Sequence, residues 1–251
     1  MFIAITMPDM WSTTSVRTLC ALIFSLFVKE IAGTPIIIEL LVDFANCPKI
    51  VSREEWGARN ATGPYTPLPY TPTPYVVIHH GGILHYCYDQ PECSEVVRSY
   101  QDLHIDDRQW IDIGYNFVIG EDGNVYEGRG WDYVGAHAPG YNSQSIGVSV
   151  IGDFSHFIPN RPALKALESL IACGVQIGKI SPDHKVIGHR QVRDTVCPGE
   201  VFYGWVQNLP GWTNTPTPVN VSDDSTKTTT AQTLTDGNAL EGRNLTQDST
   251  L

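Results

Sequence analysis

The chain has 251 residues, of which 42% are hydrophobic, and a formal net charge of −11 at pH 7. That length allows one ample domain plus tails, and that apolar share supplies a core. The acidity excludes a general nucleic-acid or anionic-membrane binder, since both need a basic patch, and it excludes killing bacteria by cationic membrane disruption.

Residues 1–33 read as a secretory leader. Arg17 precedes the apolar run Leu19 to Val28, and Ile31-Ala-Gly33 offers small residues for cleavage near Thr34. The segment before the run is long and carries Asp9, so a signal anchor is the alternative. Residues 34–46 hold a second apolar run, Pro35 to Val42. Lys29, Glu30, Glu39 and Asp43 interrupt the two runs, and neither reaches the length of a membrane span.

Residues 47–212 read as one domain. Pro64 to Pro74 is a Pro/Thr/Tyr-rich surface connection, and Tyr75 to His79 is a β-branched run that predicts a buried strand. Cys93 to Asp107 predicts a helix with Val96, Tyr100 and Leu103 on one face. Tyr115 to Ile119 and Asn124 to Glu127 flank Gly120-Glu-Asp-Gly123, a hairpin signal. Ser145 to Ile151 is a second buried strand. Pro162 to Gly178 predicts a helix with the proline in its first turn and Leu164, Leu167, Leu170 and Ile171 facing inward. Lys185 to Gly188 is a short strand that delivers His189, and Pro198 to Leu209 a final helix. Strands alternating with helices indicate an α/β domain with a central mixed sheet flanked by helices. Residues 213–251 are rich in Thr, Ser, Asn and Asp and are expected to be disordered. Asn220-Val-Ser and Asn244-Leu-Thr are glycosylation sequons, as is Asn60-Ala-Thr; they agree with secretion.

The chain has six cysteines. Cys20 lies in the leader. Cys87 and Cys93 bracket a short turn-like loop, and Cys47 with Cys173 can make a second pair; sequence does not fix this connectivity. Cys197 is then left over, and a leftover thiol is either reactive or a metal ligand. It lies eight residues after His189, and His79 closes the first buried strand. Two imidazoles and a thiolate fill three tetrahedral positions of a zinc ion and leave the fourth for water. The spacing matches no standard finger, and on spacing alone both histidines read as ordinary core or strand-end residues sooner than as ligands. His80 points to the opposite strand face from His79. His85, His156 and His184 fall in predicted loops and are expected to be solvated, and His104 is expected to pack beside the helix's apolar stripe.

Six segments occur in order: Val77-Ile-His-His80, Asp112-Ile-Gly-Tyr-Asn-Phe117, Val125-Tyr-Glu-Gly-Arg-Gly-Trp131, Gly135-Ala-His-Ala138, Ser145-Ile-Gly-Val148 and Gly188-His-Arg-Gln-Val-Arg-Asp-Thr-Val-Cys-Pro198. Over residues 47–212 the chain resembles a peptidoglycan recognition protein, of the group related to phage lysozyme-type N-acetylmuramoyl-L-alanine amidases. The resemblance implies the single-domain fold of the type 2 amidases. It implies Zn2+ held by His79, His189 and Cys197, and disulfides Cys87–Cys93 and Cys47–Cys173. It implies Tyr115 as the catalytic tyrosine, with a core tyrosine as the alternative, and Thr195 as the threonine beside the metal.

The family divides into zinc amidases and non-catalytic receptors, and receptors typically lack the ligand cysteine. The resemblance therefore implies a secreted, extracellular hydrolase of innate immunity, a monomer acting on bacterial peptidoglycan and muropeptides, with a non-catalytic peptidoglycan receptor as the alternative. His137 falls in a segment that lines the family's groove and is a candidate substrate contact. Arg129 matches the arginine that pairs with the extra carboxylate of diaminopimelate stems, although it could merely neutralise an acidic surface. Trp110 agrees with that class; Gln109, where the class commonly has glycine, departs from it. No glutamate stands out as a general base.

Overall fold

A computed structural model of the protein describes residues 47–219. The expected leader, residues 34–46, and the tail from residue 220 with its two sequons lie outside the described residues. Among the described residues no helix is long and apolar enough to cross a membrane.

Six strands form one mixed sheet in the order β1-β4-β3-β5-β2-β6. They are β1 (Ile50–Val51), β2 (Thr73–His80), β3 (Phe117–Ile119), β4 (Val125–Glu127), β5 (Ser145–Val150) and β6 (Ile180–Gly188). All pairs are parallel except the β3–β4 hairpin. Helices α1 (Gln90–Asp102), α2 (Arg161–Gln176) and α3 (Glu200–Val206) flank the sheet, and a π-helical turn (Leu103–Asp107) continues α1. This is the α/β class with helices flanking a mixed sheet that the alternation of elements implies.

Strand β2 shows how the sheet positions a site. Its Val76 and Ile78 pack with Leu167 and Leu170 of α2 and Phe202 and Val206 of α3. Its Tyr75 and Val77 pack on the other side with Ala138, Tyr141 and Ile187. Side chains alternate across a strand, so His79 continues the Tyr75–Val77 face. A third cluster joins Val96, Val97 and Tyr100 of α1 to Val118, Tyr126 and Trp56.

Local chemistry sets the helix ends. Asp89 caps α1 by accepting the Glu92 N–H (2.9 Å), and Asn160 caps α2 by accepting the Ala163 N–H (3.0 Å). Each helix carries a proline in its first turn, where no N–H partner is lost. The last helix is shorter than the expected Pro198–Leu209. Gly199 sits at φ +94, and a Cβ there would come within 2.4 Å of the Phe154 carbonyl carbon, so helix starts only at Glu200. Strand β6 is longer than the expected Lys185–Gly188. Its register against β2 jumps from Ile180 to Lys185, and this bulge holds the Ser181-Pro-Asp183 stretch that reads as a turn. His184 sits in that bulge, not in a solvated loop: its Nδ1 lies 2.8 Å from the Ser181 carbonyl and its Nε2 is buried without a partner. Packing continues past Trp212, since the Thr213 N–H donates to Val186 O (3.2 Å) and the Tyr75 hydroxyl to Thr217 O (2.7 Å).

Two disulfides are present, Cys47–Cys173 and Cys87–Cys93. The first spans 126 positions and ties the start of the described chain to α2; the second spans 6 and fixes the loop entering α1. Cys197 is the free cysteine among the described residues, and it is buried.

Candidate active site

Strands β2 and β6 are parallel neighbours, and Ile78 pairs with Gly188. The next residue in each case is a histidine, His79 on β2 and His189 in the 3-10 turn that follows β6, so the two emerge side by side at the carboxyl edge, with ring centroids 4.4 Å apart. Carboxyl strand ends are where open α/β sheets hold ligands. The loop after β6 returns to bring in Cys197, whose Sγ lies 3.7 Å from His79 Nδ1. One ligating atom from each of these three residues lies within 4.8 Å of the others.

This donor set fits zinc. Tetrahedral bonds of roughly 2.0–2.3 Å put neighbouring ligand atoms about 3.5 Å apart. His189 Nε2 is buried and lacks any protein partner, which is a costly state that a metal would relieve. Burial, and then the neighbouring imidazoles His137 and His189, push His79 well below its ordinary pKa, and burial pushes His189 down to about 4. Both rings are therefore neutral at pH 7, the form a metal takes. Burial pushes the Cys197 thiol up to about 12 in the absence of a cation, while the His80 N–H donates to its sulfur at 3.4 Å.

These groups line a cleft of about 400 Å³ that also presents His80, Tyr115, Thr195, Trp110 and His137. Tyr115 precedes β3, and its ring lies 5.3 Å from that of His79. Burial holds its hydroxyl pKa up at about 12, so it remains a proton donor at neutral pH. Thr195 Oγ1 accepts the Cys197 N–H at 3.2 Å, which fixes the threonine against the metal position. His80, on the other strand face, accepts the Phe154 N–H through Nδ1 (3.2 Å) and faces Asp153.

His104 is buried, in keeping with the packing role its helix position implies, but it packs at the cleft. It lines the cleft, stacks on Trp110 (centroids 4.8 Å apart) and accepts the Gly114 N–H through Nδ1 (3.1 Å). It lies in the π-helical turn that continues α1. His85 and His156 are exposed, as expected.

Arg129 is neither a surface charge nor a cleft-lining side chain. It is 8% exposed, and its guanidinium donates to the carbonyls of Ile113 (2.8 Å), Val134 (2.9 Å) and Asp112 (3.4 Å). The sequence shows the arginine but not these three carbonyls, which the loops around it deliver. Two of its five N–H groups remain, one on each terminal nitrogen. Beneath it the buried Asp112 carboxylate accepts from Arg53 (2.7 Å), Gln101 (2.7 Å), the Ile113 N–H (2.6 Å) and the Tyr65 hydroxyl. Spacing gives no sign of that network. Nor does it mark Arg108 and Arg193, which line the cleft as cations; Arg108 lies 5.2 Å over the Trp110 ring. Gln109 has φ 58, the left-handed region, which explains why glycine suits that position.

A single α/β domain with two strand-end imidazoles and a thiol in an open cleft defines an amidase-type fold. The family model described as N-acetylmuramoyl-L-alanine amidase matches residues 69–200, and the chain belongs to this family, among its peptidoglycan-recognition proteins. It is 42% identical over 174 residues to "Peptidoglycan-recognition protein LB" of Drosophila melanogaster, covering 66% of this chain and 71% of that protein. It is 40% identical over 171 residues to "N-acetylmuramoyl-L-alanine amidase" of Mus musculus, covering 68% of this chain but 32% of that longer protein. Among solved structures, peptidoglycan recognition protein-LE in complex with tracheal cytotoxin, a monomeric diaminopimelic acid-type peptidoglycan, matches with TM-score 0.64 and 41% identity, covering 66% of this chain and 96% of that one.

Proposed function

We propose that this protein is a secreted, zinc-dependent amidase that hydrolyses the bond between N-acetylmuramic acid and L-alanine in bacterial peptidoglycan. The observation that carries the reading is the convergence of His79, His189 and Cys197 at one strand edge, with His189 Nε2 buried and unpartnered. When bound there, zinc supplies a water nucleophile at neutral pH and polarises the scissile carbonyl.

The chain's own residues do the rest. The Tyr115 hydroxyl, neutral at working pH, donates to the oxyanion that develops on the carbonyl oxygen. Thr195, held by the Cys197 N–H, orients the same oxygen. Trp110, flanked by Arg108 and His104, forms an apolar wall for the stem peptide. Arg129 stays charged despite burial, and its two remaining N–H groups are the donors for the extra carboxylate of a diaminopimelate stem. Two disulfides agree with an oxidising compartment, and residues 1–33 supply the leader for it.

The test is mass spectrometry of purified muropeptides after incubation with the zinc-loaded protein. Release of intact stem peptides with a new L-alanine amino terminus supports the reading. Tight muropeptide binding with no release over days would replace it with the non-catalytic receptor.

A further inference from the structure

We propose that His137 is a positioning residue for the ligand His79, not a substrate contact. The inference rests on the metal reading above. The two rings meet edge to face, at 83°, with His79 Nε2 and His137 Nδ1 3.0 Å apart. His79 Nδ1 faces Cys197 and the metal position. A neutral imidazole carries one proton, so a ring that ligates through Nδ1 must carry it on Nε2. His137 Nδ1 is the acceptor placed to receive that proton, and accepting it fixes both the tautomer and the ring plane of His79.

The surroundings hold His137 in that role. Asn142 Oδ1 accepts the backbone N–H groups of His137 (2.9 Å) and Ala138 (2.7 Å). The ring lies against two glycines. A Cβ on Gly147 would come within 2.3–2.5 Å of three of its ring atoms, and one on Gly135 within 2.4 Å of its Cδ2. Gly147 lies on β5 opposite Val77 of β2, which puts the imidazole beside the strand that carries His79. The side chain is 6% exposed. With Nδ1 spent on His79, the ring's remaining polar atom is Nε2, which carries its proton and is buried without a partner against Gly135 and Gly147. The Gly135-Ala-His137 and Ser145-Ile-Gly147 segments are thus two parts of one socket behind the metal.

The test uses the full chain and four variants, read by zinc affinity in competition with a chromophoric chelator and by the visible spectrum of the cobalt-substituted protein. His137→Phe keeps the ring shape and removes the acceptor. It is expected to weaken zinc by about 10- to 100-fold and to shift the cobalt bands. His137→Asn places an oxygen near the Nδ1 position and is expected to recover most of the loss. His137→Leu repeats the test should the Phe variant fail to fold, and Tyr115→Phe, which removes no ligand contact, is expected to bind zinc like wild type. Muropeptide affinity of the zinc-free chain is expected to stay within about twofold in all the His137 variants. Unchanged zinc affinity in a folded Phe or Leu variant overturns the proposal, as does a loss of muropeptide affinity in its place. Failure of the wild type to bind zinc would sink the amidase reading itself, a result distinguishable from failure of the His137 variants alone.

Discussion

The metal site and the buried Arg129–Asp112 network are built on opposite terms. At the metal site, His79, His189 and Cys197 are neutral, His79 and Cys197 are buried and His189 half-buried, and His189 Nε2 has no protein partner. In the network, Arg129 and Asp112 are buried, and the protein already meets most of their hydrogen-bonding capacity. An unmet donor set is a demand for a ligand, whereas a satisfied network is structure that a ligand merely touches. Substitutions at the metal site should therefore remove chemistry and leave the fold. Substitutions in the network should cost stability and specificity together.

The largest expected effect is at the metal site. Cys197→Ser should lower hydrolysis by at least about 1000-fold, since zinc chemistry supplies several kcal/mol of the acceleration. Muropeptide binding and thermal stability of the zinc-free chain should change little, as calorimetry would show.

Acid should expose the same site next. In the folded chain burial holds His104 and His189 near pKa 4 and His137 near 3, and His79 also lies well below its ordinary value. Unfolded histidine titrates at about 6.5. Between those values the unfolded chain binds more protons, so stability falls as pH falls. The zinc-free protein should have a melting temperature that is flat above about pH 6.5 and drops steadily towards pH 4. A flat profile across that range would mean the rings are not buried neutral.

Tyr115→Phe comes third. Removing one oxyanion donor should cost about 100-fold in kcat with KM nearly unchanged. Arg129→Ala follows. It should lose a preference for diaminopimelate over lysine stems of about 10- to 150-fold, the worth of a shielded charge-assisted bond. It should also lower unfolding free energy by about 3 kcal/mol, because three buried carbonyls lose their donor. Lost preference without lost stability would contradict the satisfied-network account. The smallest effect is at Gln109. Its left-handed backbone is strained by about 1–2 kcal/mol, while glycine gives back part of that in unfolded-chain entropy. Gln109→Gly should thus stabilise by no more than about 1 kcal/mol in denaturant titration.

Much of this was legible in the sequence because it is carried by periodicity and by residue type. The β-branched run of β2 places His79 at a strand end, and the odd cysteine is the one beside His189. The parts that were not legible depend on where loops return. Nothing in the spacing says that His137, 58 positions from His79, shares a proton with it, because the contact depends on the Gly135 and Gly147 socket. Nothing says that Arg129 spends its donors on three backbone carbonyls. The π-helical turn that carries His104 looks, in periodicity, like one more turn of α1. The bulge in β6 hides behind Ser181-Pro-Asp183, which reads as a turn.

The central claim is that one zinc on His79, His189 and Cys197 drives amide hydrolysis. Stripping the protein of metal and titrating zinc back while following release of L-alanine-terminated stem peptides tests it most directly. The account predicts a rate that rises linearly to one equivalent of zinc and then levels, with none at any zinc level in Cys197→Ser. Hydrolysis that proceeds at full rate in the stripped protein, or that persists in the variant, would contradict it.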